Sequence, residues 1–261
     1  MAGVEYLTET EESVRAPIYL KDEDHGDLEG ADTLEIVIWL RDKKGLHMEL
    51  QGNGHQAKVT ELFEKIRESR NLPEYANKIF SLWMVSPLLE LRLKDDHQPF
   101  EIAQLWDRFC MEYADAKRDE IARDEPVVMV QRNVFLSLKD EKLFWNTAPE
   151  EVMTLLYHEA QYNIINGRYL LSDFDYDSLA GIQALLEKGP FSRSLESYKD
   201  DIKNYYPHFL CKSKKWRGRK PVTVERLKEA HQLAFENTGD MTKSQLYCQY
   251  LSVCAKYPFY G

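Results

Sequence analysis

Residues 52–57, Gly-Asn-Gly-His-Gln-Ala, fit a G-x-G-x-x-A spacing. In that spacing the glycines let the backbone approach a pyrophosphate closely, and the following helix N-terminus holds the charge. The surroundings argue against a dinucleotide loop. The apolar–polar alternation of Leu46-His47-Met48-Glu49-Leu50 is that of a half-buried hairpin arm, whereas a dinucleotide fold opens on a parallel strand that is apolar on both faces. Asp173-Phe174-Asp175-Tyr176-Asp177 opens like a calcium loop, but the sixth and twelfth positions hold Ser178 and Ala184 where Gly and Glu are needed. A capped helix start is the better reading, because Asp accepts from the free N–H groups there. His158-Glu159 begins an H-E-x-x-H zinc pattern and fails at Tyr162. His158 is therefore expected on the polar side of a helix or hydrogen-bonded at its edge. Cys110, Cys211, Cys248 and Cys254 form no C-x-x-C pair. They read as reduced, buried thiols of a chain that faces the cytosol. No catalytic residue, cofactor site or metal site is expected.

The strongest charge feature is Lys212, Lys214, Lys215, Trp216, Arg217, Arg219 and Lys220, six bases in nine residues around one tryptophan. Such a stretch suits anionic lipid headgroups, with each base contributing ~1 kcal/mol near the surface and the indole at the interface. It also suits an acidic peptide, and it fits a solvated connector between helices. The net charge of −10 lies elsewhere: residues 1–31 hold nine acids and two bases. The remainder is close to neutral, which excludes wholesale nucleic-acid binding. Residues 1–31 read as an acidic, mostly disordered tail. They lack the basic-then-apolar pattern of a secretory leader, and no run of apolar residues is long enough for a transmembrane helix.

Around these residues the elements fall into two grammars. Residues 34–40 (LEIVIWL) and 46–50 predict a hairpin, with Gly45 supplying positive φ in its turn. Val59, Leu62, Phe63 and Ile66 mark a helix that ends at Leu72-Pro73. Strands follow at 79–85, around Leu89, Leu91 and Leu93, and at 127–130, with a helical pattern between Phe100 and Tyr113. The order β-β-α-β-β-α-β predicts a ubiquitin-like β-grasp over 32–132, with Trp83, Leu89 and Leu93 buried. From 133 to 261 the pattern is all helical. Thr147 is the expected N-cap of a first helix that Gly167 ends, and a second runs from Asp175 to Lys188, before Gly189-Pro190. A third covers Leu195 to Tyr205. A fourth, after Thr223, buries Leu227, His231 and Ala234. A fifth carries Leu246, Tyr250, Val253, Cys254 and Tyr257. Leu155, Leu156 and Val253 are expected in the core of this bundle.

Three stretches of the bundle, 159–169 (EAQYNIINGRY), 179–191 (LAGIQALLEKGPF) and 250–261 (YLSVCAKYPFYG), resemble the second lobe of a FERM domain. The resemblance covers residue 32 onward. It implies an α+β chain with a ubiquitin-like first lobe and an acyl-CoA-binding-protein-like helical second lobe. It also implies that a PH/PTB-like third lobe is missing, because the chain stops on Tyr257-Pro258-Phe259-Tyr260-Gly261, where the resemblance expects that lobe to begin. Residues 80–91 (FSLWMVSPLLEL), with Lys94, His97, Gln98 and Pro99, are most similar to a FERM branch that binds inactive rhomboids. A Krev-linked branch shares the style of 159–169 and fits 86–99 less well. The resemblance implies a non-enzymatic cytoplasmic adaptor or scaffold at the inner face of the plasma membrane and the cytoskeletal cortex. Its partners would be cytosolic tails of integral membrane proteins, inactive rhomboids favoured, with a role in sheddase regulation. A phosphoinositide-binding linker and a Rap-like small-GTPase effector are the alternatives it leaves.

Overall fold

A computed structural model describes residues 4–8, 19–21, 33–50, 54–192, 198, 202–212 and 222–260. The chain divides into two compact units, Met1–Asn133 and Val134–Gly261.

The first unit is built on one mixed sheet. Its strands are β1 (Val4–Thr8), β2 (Tyr19–Lys21), β3 (Thr33–Leu40), β4 (Lys44–Leu50), β5 (Phe80–Val85), β6 (Glu90–Arg92) and β7 (Val127–Arg132). They lie in the order β1-β4-β3-β7-β5-β6, with β2 paired to the first residues of β3, Thr33 to Glu35. All pairs are antiparallel except β3–β7, where Ile38, Trp39 and Leu40 run parallel to Val128, Met129 and Val130. Helix α1 (Val59–Ser69) places Val59, Leu62, Phe63 and Ile66 on one buried stripe. The short helices α2 (Ala76–Ile79), α3 (Pro99–Gln104), α4 (Trp106–Tyr113) and α5 (Arg118–Ile121) fill the connections. This is the β-grasp order that the hydrophobic pattern predicts.

Several details differ from the sequence reading. Two strands, β1 and β2, lie inside the stretch whose composition reads as a tail; the other residues of 1–31 fall outside the described residues. In the hairpin turn the positive φ belongs to Lys43, at 66°. Gly45 sits in β4, where an added Cβ would stand 3.1 Å from the Trp39 ring, so its role is to make room for that indole. Leu93 is buried, whereas Trp83 and Leu89 are half-buried. The period of two explains Trp83: Leu82 and Met84 are fully buried on one face of β5, so Trp83 stands on the other. Leu89 lies in the β5–β6 turn, where Ser86 N–H donates to its carbonyl at 2.9 Å.

The second unit is helical: α6 (Leu138–Trp145), α7 (Glu150–Ile165), α8 (Asp173–Lys188), α9 (Ile202–Tyr205), α10 (His208–Cys211), α11 (Val224–Thr238) and α12 (Lys243–Cys254). Residues 134–145 carry α6, a helix of two turns that the pattern missed. Its N-cap is Ser137, which accepts from Asp140 N–H. Thr147 belongs to the end of α6, its N–H and hydroxyl both bonded to the Phe144 carbonyl, so α7 begins after Pro149. Gly167, at φ 71°, ends α7 as expected. Of the expected third helix only Ile202–Tyr205 is described as helix, and α12 stops at Cys254, short of Tyr257. Leu155, Leu156 and Val253 are buried, and α7 packs against α12.

Candidate functional site

A concavity lies between α8 and α11. It has a volume of about 290 Å³. Its walls follow one face of each helix: Phe174, Ser178 and Ile182 on α8, and Glu229, Leu233 and Asn237 on α11. These positions recur at intervals of three or four residues, so each wall is one continuous stripe. The helices come so close because Gly181 has no side chain. A Cβ there would lie 2.2 Å from the Ala230 carbonyl oxygen and 3.0 Å from Ala234 Cβ. The floor is therefore small residues, while Phe174 and Leu233 stand at the rim, 72% and 52% exposed.

One end of the groove is locked by charge. Arg226 Nε donates to Asp177 Oδ1 at 2.7 Å, and the Tyr206 hydroxyl donates to the same oxygen at 2.9 Å. The guanidinium also lies over the Tyr206 ring, 5.5 Å from its centroid. This joins α8 and α11 to the residue that follows α9. Burial first, then the Asp177 carboxylate, pushes the Tyr206 hydroxyl far above its ordinary pKa, so it stays a donor. The Asp173–Asp177 stretch is thus a helix start tied into an ion pair. Ser172 caps it, accepting from Asp175 N–H, and no cluster of His, Cys, Asp or Glu among the described residues could hold a metal.

At the other end of α8, His231 is fully buried. Its Nε2 donates to the Gly189 carbonyl at 2.9 Å, and its Nδ1 accepts from the Tyr198 hydroxyl at 2.5 Å. Phe191 packs edge-on against the ring. These contacts hold the α8 exit onto α11. Burial lowers the His231 pKa below its ordinary value; the Gly189 hydrogen bond opposes this and the Lys188 charge adds to it. The unfolded chain then binds the proton more readily. The His231 contribution is fully present above the ordinary histidine value of about 6.5 and is lost as pH falls through the folded value. The urea midpoint is expected to drop across that window, and His231→Gln to flatten the drop; an identical slope in the variant would refute it.

The other residues singled out by the sequence have ordinary places. His158 is half-buried on α7 and pairs with Gln161, Nδ1 to Oε1 at 3.1 Å. Gly54–Gln56 form one 3₁₀ turn after an antiparallel strand, and residues 51–53 are outside the described residues. Lys212 is exposed at the end of α10, while Lys214, Lys215, Trp216, Arg217, Arg219 and Lys220 lie outside the described residues. Phe174, Glu229 and Leu233 escaped the sequence reading. For Phe174 and Leu233 a signal was present: apolar residues at the first turn of α8 and beside, rather than on, the buried stripe of α11. Among the described residues no helix is long and apolar enough to cross a membrane.

Residues 146–261, which hold both helices of the groove, match the family model of the FERM central domain. The chain is similar to FERM domain-containing protein 8 of Mus musculus, with 30% identity over 248 residues covering 89% of this chain and 52% of that protein. The Xenopus laevis relative of the same name is 29% identical over 247 residues, covering 89% and 54%. The chain thus spans about half the length of these curated relatives. Among solved structures, the human Myosin 7b C-terminal MyTH4-FERM domain, in complex with a harmonin-a PDZ3 domain, aligns at TM-score 0.63 and 16% identity, over 88% of this chain and 43% of that one. The Drosophila Merlin FERM and C-terminal domain complex aligns at 0.55 and 16%, over 84% and 64%. At these identities the likeness concerns the FERM fold: the ubiquitin-like unit followed by the helical unit.

Proposed function

We propose that this chain is a non-enzymatic cytoplasmic adaptor that binds cytosolic tails of integral membrane proteins at the inner face of the plasma membrane. Inactive rhomboids are the favoured clients, and through them the adaptor supports the cell-surface stability of an associated metalloprotease sheddase. The observation that carries this reading is the similarity to FERM domain-containing protein 8 across 89% of the chain, spanning both units. The test is the affinity of the full chain for the cytosolic tail of an inactive rhomboid, measured beside an unrelated tail of equal charge. Selective binding of the rhomboid tail is expected. Equal or absent binding would overturn the client assignment.

A second reading has its own observation. Lys212 stands exposed at the end of α10, and the eight residues after it add five bases and Trp216. We propose anionic lipid headgroups as the ligand of this run, at ~1 kcal/mol per base. Vesicles containing phosphatidylinositol bisphosphate are expected to sediment the chain, and Lys214→Glu, Lys215→Glu and Arg217→Glu together to release it. Unchanged sedimentation removes the reading. Selective retention of GTP-loaded over GDP-loaded Rap would instead favour a small-GTPase effector.

A further inference from the structure

We infer that the α8–α11 groove is a docking site for a short amphipathic helix of a partner protein, one that presents large apolar side chains next to a lysine or arginine. The inference deepens the adaptor reading by naming a surface and a ligand chemistry, and it can fail while that reading stands.

Shape selects the ligand class. The lining runs from Arg226 to Thr238 along α11, about 18 Å at 1.5 Å per residue, or roughly three helical turns. A volume of about 290 Å³ falls just below the roughly 300–1,000 Å³ of small-molecule sites. It suits one or two inserted side chains along a shallow trough. That is the geometry of a helix laid in a groove, anchored at every third or fourth residue.

Surface chemistry then says what the helix must carry. Single exposed apolar residues are ordinary, but Phe174 and Leu233 stand on opposite walls of one concavity, with Ile182, Ala230 and Ala234 between them. An apolar anchor placed there touches both rims and the floor. Charge fixes the rest. Asp177 and Arg226 neutralise each other across 2.7 Å. Glu229 is exposed, and it has no ion pair among the described residues, so it is the charge left over in the lining. A cation beside the apolar anchor answers it. An acidic helix would meet uncompensated repulsion there. At the far end Asn237 and Gln249 offer neutral hydrogen-bonding groups, which do not select a charge.

The test uses the full chain and a fluorescein-labelled amphipathic helical peptide with Leu at i, i+4 and i+7 and Lys between them. A twin peptide has Glu in place of Lys. Saturable anisotropy with the Lys peptide is expected, and weaker binding of the Glu twin. Both test positions are exposed, so Leu233→Glu and Glu229→Lys leave the fold intact, which unchanged circular-dichroism melts would verify. Leu233→Glu is expected to weaken the Lys peptide ~10-fold or more. Glu229→Lys is expected to reverse the preference toward the Glu twin, which no general loss of structure could do. Equal affinity of both peptides, or wild-type affinity in Leu233→Glu, would overturn the proposal. If an inactive-rhomboid tail binds wild type and Leu233→Glu alike, the adaptor reading survives and this groove is not its site.

Discussion

Gly181→Ala is expected to destabilise the helical unit by about 2–3 kcal/mol, even though alanine is the better helix former by about 1 kcal/mol. The reason is space. The new Cβ would lie 2.2 Å from the Ala230 carbonyl oxygen and 2.8 Å from the carbonyl carbon. Both atoms are main chain of α11, so no rotamer change can clear them, and α8 and α11 must move apart along their shared face. Gly181 packs closely against Ala230 and Ala234, so the separation would also loosen the apolar packing around it. Urea denaturation of the two proteins checks this. A midpoint equal to or above that of the parent would show that the two helices can part at little cost.

Tyr260→Phe is the second large effect, about 1.5–3 kcal/mol. Glu141 has no exposed surface. Its Oε1 accepts from the Tyr260 hydroxyl at 2.5 Å and from Trp145 Nε1 at 3.1 Å. A buried carboxylate is tolerable only when donors replace the water it has lost. The substitution removes one hydroxyl and no ring volume, so packing of Tyr260 against Trp145 and Tyr169 persists and the loss reports the charge-assisted bond. Tyr260→Phe in a Glu141→Gln background is expected to cost much less, because a neutral amide loses less when its donor goes. Equal losses in both backgrounds would show that the charge plays no part.

How much of this was legible in the sequence depended on the range of the signal. The β-grasp order and four of the long helices follow from periods of two and 3.6, from Thr223 as a cap, and from Gly167 and Gly189 as stops. Helix α6 was missed because eight residues give barely two turns, too few for a stripe to stand out. Thr147 was misplaced because a threonine near Pro149 and two acids looks like a start, whereas its hydroxyl completes the helix before it. Trp83 was placed in the core on hydrophobicity alone, and the face of β5 it occupies depends on the register with β7. The groove was less visible still. Phe174 and Leu233 are far apart in sequence, and only the close approach at Gly181 sets them across one trough.

The position of β7 has a consequence for how the first unit is made. The last strand of the sheet to leave the ribosome is not an edge strand. It enters between β3 and β5, and Trp39 pairs with Met129, ninety residues later in the chain. Until 127–132 emerge, the β3–β4 hairpin and the β5–β6 pair have no strand to join them. Completion of this sheet therefore waits for its last strand, through a parallel pairing of high contact order. The nascent chain before that point carries unpaired strand edges, and shielding them falls to whatever binds it as it emerges.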